Sequence, residues 1–205
     1  MNKTWFSLFL TLPVALMASA CGQQADQAAG GKPAQPPLAG ARIGGPFALV
    51  DGDGRPRTDR DFAGKWRIMY FGYTFCPDVC PTDVAAIAGA VKQIEASDPA
   101  LGAQIVPIFV TVDPARDTPA VVKQFTAAFH PRMVGLTGSQ PAIDAAKKAY
   151  AVYAQRGANS AGGGYLMDHS RTSYLMAPDG SPVAILPADE GADAVAAELR
   201  RWVHD

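Results

Sequence analysis

The chain predicts an α/β fold, a central mixed sheet flanked by helices with a β-hairpin added near its end. Three observations carry this. Two long runs of β-branched and aromatic residues, "KWRIMYFGYT" and "QIVPIFVTVD", read as strands buried on both faces. Segments of helical periodicity follow each of them, which is the alternation that builds βαβ units. A Pro-Asp-Gly turn between two apolar runs, "RTSYLMAPDGSPVAILP", then predicts a hairpin before a closing helix. The 205 residues suit one folded domain, and a hydrophobic fraction of 48% supplies its core. A formal net charge of −1 gives no basic footprint for nucleic acid.

Taken in order, the chain opens on Lys3 and the uncharged run "WFSLFLTLPVALMASA". The run is short for a membrane span and ends in small residues, as an export signal does. Ala18, Ser19 and Ala20 before Cys21 resemble the lipobox of bacterial lipoproteins, with alanine at position 18 where leucine is usual. That resemblance implies a signal peptide over residues 1–20, lipidation of Cys21, and a membrane anchor facing the periplasm. An uncleaved anchor helix and a plain signal are the alternatives. Residues 21–42 are rich in Gly, Gln, Ala and Pro, too poor in large apolar side chains to offset the entropy of ordering, and read as a flexible tether.

The folded domain is expected over residues 43–205. "FALV" before "DGDGRP" reads as a strand and tight turn. After the first central strand, Val84, Ile87, Ala88, Val91 and Ile94 recur at helical spacing. Pro81 suits the first position of that helix, which places Cys80 at its cap. Thr118 and Pro119 open the next helix as cap and first residue. "MVGLTG" is a short strand. "SQPAIDAAKKAYAVYAQR" reads as helix capped by Ser139, "GANSAGGG" as a loop, and "DAVAAELRRWVH" as the last helix.

The chemistry concentrates in "YTFCPDVCPTD", at the end of the first central strand. Cys76 and Cys80 fall at the carboxyl edge of a sheet and the amino end of a helix, where binding sites gather and thiolates are favoured. A disulfide closing so few residues constrains little chain, so a stabilising clip explains the pair poorly. Of the three histidines, His204 reads as solvated and His130 as a helix C-terminal residue. His169, in "DHSRTSYLM", lies between a glycine-rich loop and an apolar strand, at a strand mouth on the same sheet as the cysteines. In "DPARDTP", Asp113 ends a central strand, and Asp117 reads first as a helix cap. Asp78 sits between the cysteines, as a solvated carboxylate or as a group that tunes charge and recognition. Tyr70, Phe71, Tyr73 and Phe75 read mostly as core.

The motifs "YTFCPDVCPTD", "VTVDPARDTP", "FHPRMVGLTG" and "DHSRTSYLMAPDG" together resemble the Sco/SenC family over residues 43 to the end. The resemblance implies a thioredoxin-like fold and copper held by Cys76, Cys80 and His169. It makes Asp78, Asp113 and Asp117 candidates for supporting or partner contacts. It implies work on the binuclear copper site of cytochrome c oxidase, as a metal donor or as a thiol–disulfide reductant of that site's cysteines, with another periplasmic copper chaperone or a thiol reductant as further partner. The donor chemistry agrees. Two soft thiolates suit Cu(I), an added imidazole accommodates Cu(II), and a structural zinc site would usually take four protein ligands. A general thiol–disulfide oxidoreductase and a peroxiredoxin-like peroxidase, with Thr74 and Arg171 beside its cysteine, are the competing readings. The three residues between the cysteines argue against the first, and the second nearby cysteine against the other.

Overall fold

The computed structural model describes residues 35–159 and 164–204. Among these residues nine strands and five α-helices follow in chain order, besides two short 3-10 turns: β1 (Ala48–Asp51), β2 (Pro56–Thr58), β3 (Trp66–Gly72), α1 (Val79–Ser97), α2 (Pro99–Gln104), β4 (Ile105–Thr111), α3 (Pro119–Phe129), β5 (Val134–Thr137), α4 (Gln140–Ala149), β6 (Ala154–Asn159), β7 (Tyr165–His169), β8 (Ser173–Met176), β9 (Pro182–Leu186) and α5 (Ala192–Trp202). Seven strands form one mixed sheet in the order β2-β1-β5-β4-β3-β8-β9, and β6 with β7 forms a separate two-stranded sheet.

The centre of the sheet is parallel, with Tyr70 of β3 beside Phe109 of β4, and Ile108 beside Val134 of β5. β8 returns antiparallel to β3, pairing Tyr70 with Ser173. Alternation along β3 divides its side chains between two buried layers. Tyr70 reaches Asp83 of α1, and Phe109 packs on Phe125 of α3, on one face. Phe71 packs on Tyr150, just past α4, on the other. The run Ile68 to Phe71 is at most 1% exposed, as expected of a strand covered on both faces.

Two local expectations give way. Helix α1 begins at Val79 with Asp78 as its N-cap, so Cys80 lies inside the first turn rather than at the cap. Proline lacks an N–H that the first turn would leave unpaired anyway, so Pro81 is tolerated a position or two into the helix and does not mark its first residue. The expected helix through residues 150–156 ends instead at Ala149. Ala151 takes a left-handed φ of 52°, and the N–H groups of Ala151 and Val152 donate to the carbonyls of Lys148 and Lys147 at 3.3 and 2.8 Å. This is a helix-ending Schellman turn built on alanine rather than glycine. β6 follows, and occupies residues 157–159 of the expected glycine-rich loop.

The compact unit runs Gln35–Asp205. Leu38, within the segment read as tether, packs on the core and donates its N–H to the Val183 carbonyl at 3.0 Å. The expected signal segment and Cys21 lie outside the described residues.

Candidate metal centre

β3 delivers the chain to the site. After Gly72 the loop 73–78 leads into α1, bringing Cys76, partly exposed, and Cys80, fully buried, to the same end of the sheet. Gly72 has a packing reason to lack a side chain. A Cβ there would lie 3.1 Å from the Cys80 Sγ and 2.8 Å from the Tyr70 ring. The Cys80 backbone N–H points at the Cys76 Sγ, 3.4 Å away.

β7 delivers the third group, and it belongs to the separate β6–β7 sheet rather than, as the sequence suggests, to the sheet that carries the cysteines. Side chains alternate along a strand, so Tyr165, Met167 and His169 share the inward face, where they are half-buried while Leu166 and Asp168 are exposed. The His169 Nε2 lies 3.2 Å from the Cys80 Sγ, and its Nδ1 lies 2.9 Å from the Ser170 carbonyl. A carbonyl only accepts, so Nδ1 carries the proton and Nε2 turns its lone pair toward the sulfurs. The Tyr73 ring stands edge-on to the imidazole at 5.7 Å. Burial lowers the His169 pKa and keeps the ring neutral, the form that binds metal.

The ligand atoms of Cys76, Cys80 and His169 all lie within 4.8 Å of one another. Donors sharing one first-row ion through bonds of about 2.0–2.3 Å stand about 3–4 Å apart, so a small side-chain adjustment brings the three onto a single metal ion. No other such group of His, Cys, Asp and Glu occurs among the described residues. The two thiols differ. Burial raises the Cys76 pKa, but bonds from the backbone of Asp78 and Cys80 outweigh it and the net shift is downward. Burial pushes Cys80 up to about 12. Without metal, Cys76 is therefore the group nearer to thiolate, and a cation is needed to draw the proton from Cys80.

The aspartates divide. Asp78 is exposed at the start of α1. Asp113 is buried and bonded to Arg116 and to the Tyr165 hydroxyl, which donates at 2.8 Å. Asp117 is not the cap of α3. Thr118 is, and the fully buried Asp117 carboxylate instead accepts from the Thr74 N–H at 3.0 Å and from the Thr74 and Thr111 hydroxyls at 2.6 Å. It pins the loop that carries Cys76. His130 caps the end of α3, buried against Glu95, and His204 is exposed; neither is near the sulfurs' ligand group. Phe75 is the exception among the aromatics, 52% exposed beside Cys76.

Asp83 and Arg171 have no shared part that the sequence alone would suggest. The buried Asp83 accepts from Tyr70 at 3.0 Å and from Arg171 at 2.7 Å, tying α1 to the turn that follows His169. The opposite charges were legible; their pairing across 88 positions was not.

Fold and site together define a thioredoxin-like domain with a Cys, Cys, His centre at the mouth of its sheet, a group able to hold copper. The chain belongs to the SCO1/SenC family, whose model matches residues 35–204. It is 39% identical over 171 residues to protein SCO1 homolog 1, mitochondrial, of Arabidopsis thaliana, covering 81% of this chain and 50% of that one. It is 47% identical over 141 residues to protein SenC of Rhodobacter capsulatus, covering 68% and 61%. Among solved structures it resembles Bradyrhizobium japonicum ScoI with copper bound, at TM-score 0.70 and 38% identity, over 78% of this chain and 99% of that one. The chain spans about half to three-fifths of the length of the curated relatives it matches.

Proposed function

We propose that this protein carries copper on Cys76, Cys80 and His169 and serves assembly of the binuclear copper site of cytochrome c oxidase. We place the working domain over residues 35–205, where Leu38 packs on the core, on a tether over residues 21–34, exported by a signal peptide over residues 1–20 and held at the periplasmic side of a membrane by lipid on Cys21. One observation carries the reading: three donors of the type that suits both copper oxidation states converge within 4.8 Å. The copper-bound relative supports it.

The chemistry follows from the donors. Thiolates hold Cu(I), and the neutral imidazole adds the harder ligand that Cu(II) favours. Copper binding releases the thiol protons. Three ligands leave the ion open to a ligand from a receiving protein, and Cys76, partly exposed, is the sulfur such a partner reaches first. Passing two electrons to an oxidant such as a disulfide of another thiol protein, the two thiols release two protons and form a disulfide that leaves no thiolate to hold copper, which couples metal state to redox state.

A second reading, a reductant of the oxidase copper site's cysteines, is favoured by the asymmetry of the thiols. A half-exposed Cys76 of lowered pKa beside a buried Cys80 is the arrangement of an attacking and a resolving thiol. Copper loading of the oxidase in cells carrying His169→Ala separates the two. A copper donor loses loading, whereas a reductant retains it.

A further inference from the structure

Among the described residues the β6–β7 hairpin shares no strand pairing with the main sheet, yet it carries His169. Its attachment beside the site centres on Arg116, in the loop after β4. The Arg116 guanidinium lies 3.7 Å from the Tyr165 ring centre and 4.9 Å from that of Phe75. Its Nη1 donates to the Tyr165 carbonyl at 3.0 Å, and its Nε to Asp113 at 2.5 Å. The Tyr165 hydroxyl donates to the other oxygen of the same carboxylate at 2.8 Å. Phe75 immediately precedes Cys76. Tyr165 lies four residues before His169 on the same face of β7. One cation therefore spans the loop that bears a sulfur ligand and the strand that bears the nitrogen ligand. A local Arg116–Asp113 ion pair would fix the turn between β4 and α3 equally well without Tyr165; the ring stack, the carbonyl bond and the hydroxyl bond all point outward to the hairpin.

We propose that Arg116, Asp113 and Tyr165 are positioning residues that hold the His169 hairpin over the sulfurs and thereby set the affinity for Cu(II) relative to Cu(I). This rests on the copper reading above. Only molecules with the hairpin seated offer the imidazole, so apparent Cu(II) affinity scales with the seated fraction. Cu(I), held by the two thiolates, is much less sensitive to that fraction.

The test uses the reduced full chain and the variants Arg116→Met, which keeps the apolar stem, and Tyr165→Phe, which keeps the ring and loses the bond to Asp113. The first readout needs no metal: amide hydrogen exchange in residues 154–159 and 165–169. In Arg116→Met it is expected to quicken about tenfold, with β3 and β4 amides unchanged. The second readout is competition titration with each oxidation state. Cu(II) affinity is expected to fall about tenfold in Arg116→Met and Cu(I) affinity to change less than about threefold. Tyr165→Phe is expected to move both readouts in the same direction by a smaller factor, and it carries the test if Arg116→Met does not fold. Unchanged hairpin exchange in the folded variants, or an equal loss for both oxidation states, overturns the proposal. A wild-type chain that binds neither ion overturns the copper reading instead, and the exchange measurement still decides whether the three residues seat the hairpin.

Discussion

The Cys80 sulfur and the His169 Nε2 stand 3.2 Å apart across a separation of 89 residues. Two structures meet at that point: the parallel sheet with α1, which brings the sulfurs, and the detached β6–β7 hairpin, which brings the ring. The first prediction tests the ring. His169→Ala should weaken Cu(II) binding by at least about tenfold and Cu(I) binding far less, because two thiolates satisfy Cu(I) alone. Absorption titrations with each ion read this directly. Equal affinity for Cu(II) with and without the imidazole would remove His169 from the site.

A second prediction concerns thiol chemistry. The Cys76 pKa is lowered and that of Cys80 is pushed up to about 12. In the metal-free reduced protein iodoacetamide should therefore modify Cys76 first, with a rate that climbs through a pH below the ordinary cysteine value of about 8.5. Cys80 should react only after denaturation. Mass spectrometry of the labelled peptides identifies the site, and preferential labelling of Cys80 in the native protein would contradict this order.

The sheet and the sulfurs were legible because their signals are local. "KWRIMYFGYT" and "QIVPIFVTVD" are continuous apolar runs, and the periodicity from Val84 to Ile94 is helical whatever surrounds it. Where the chain depends on distant partners, the signal is missing. α4 ends on a left-handed Ala151, where no glycine announces the stop. β6 of the hairpin that carries His169 is largely exposed, polar and glycine-containing, so its sequence reads as the end of a helix over residues 154–156 and as loop from 157 on. Asp117 reads as a cap from its neighbour Thr118 and Pro119, but the three donors that claim it come from β3's loop and β4. His169 stands apart from the other histidines by its local context, but its role as a ligand comes only with the resemblance of the flanking motifs, since its approach to Cys80 is a property of tertiary packing.

Packing at Gly72 yields a third prediction. A methyl group there meets the Tyr70 ring at 2.8 Å, the Cys80 Sγ at 3.1 Å and the Phe109 ring at 3.3 Å. All three neighbours are buried, so none can move freely. Gly72→Ala should cost about 1–3 kcal/mol of stability in urea unfolding. It should also shift the sulfur and weaken copper in both oxidation states together, unlike His169→Ala. A variant of wild-type stability and affinity would show that the strand end relaxes more easily than its contacts indicate.

The fourth prediction follows from Asp117. Burial raises its pKa, and this outweighs the hydrogen bonds from Thr111 and Thr74 that lower it; the charge on Asp113 raises it further. A carboxyl group whose folded pKa lies above its unfolded value binds protons more tightly in the native state. Its contribution to stability is then fully present below the unfolded pKa of about 4 and is lost as pH rises through the folded pKa. Asp117→Asn removes the titration while keeping the bonds: its oxygen takes the Thr74 N–H and the Thr111 hydroxyl, and its NH2 group donates to the Thr74 hydroxyl oxygen, which rotates to accept. Stability measured by urea unfolding at a series of pH values should therefore fall for the wild type relative to Asp117→Asn as pH rises from about 4, and the difference should level off above the folded pKa. A difference of the opposite slope would mean that the three donors stabilise the carboxylate by more than burial penalises it, and that Asp117 holds the Cys76 loop through its charge.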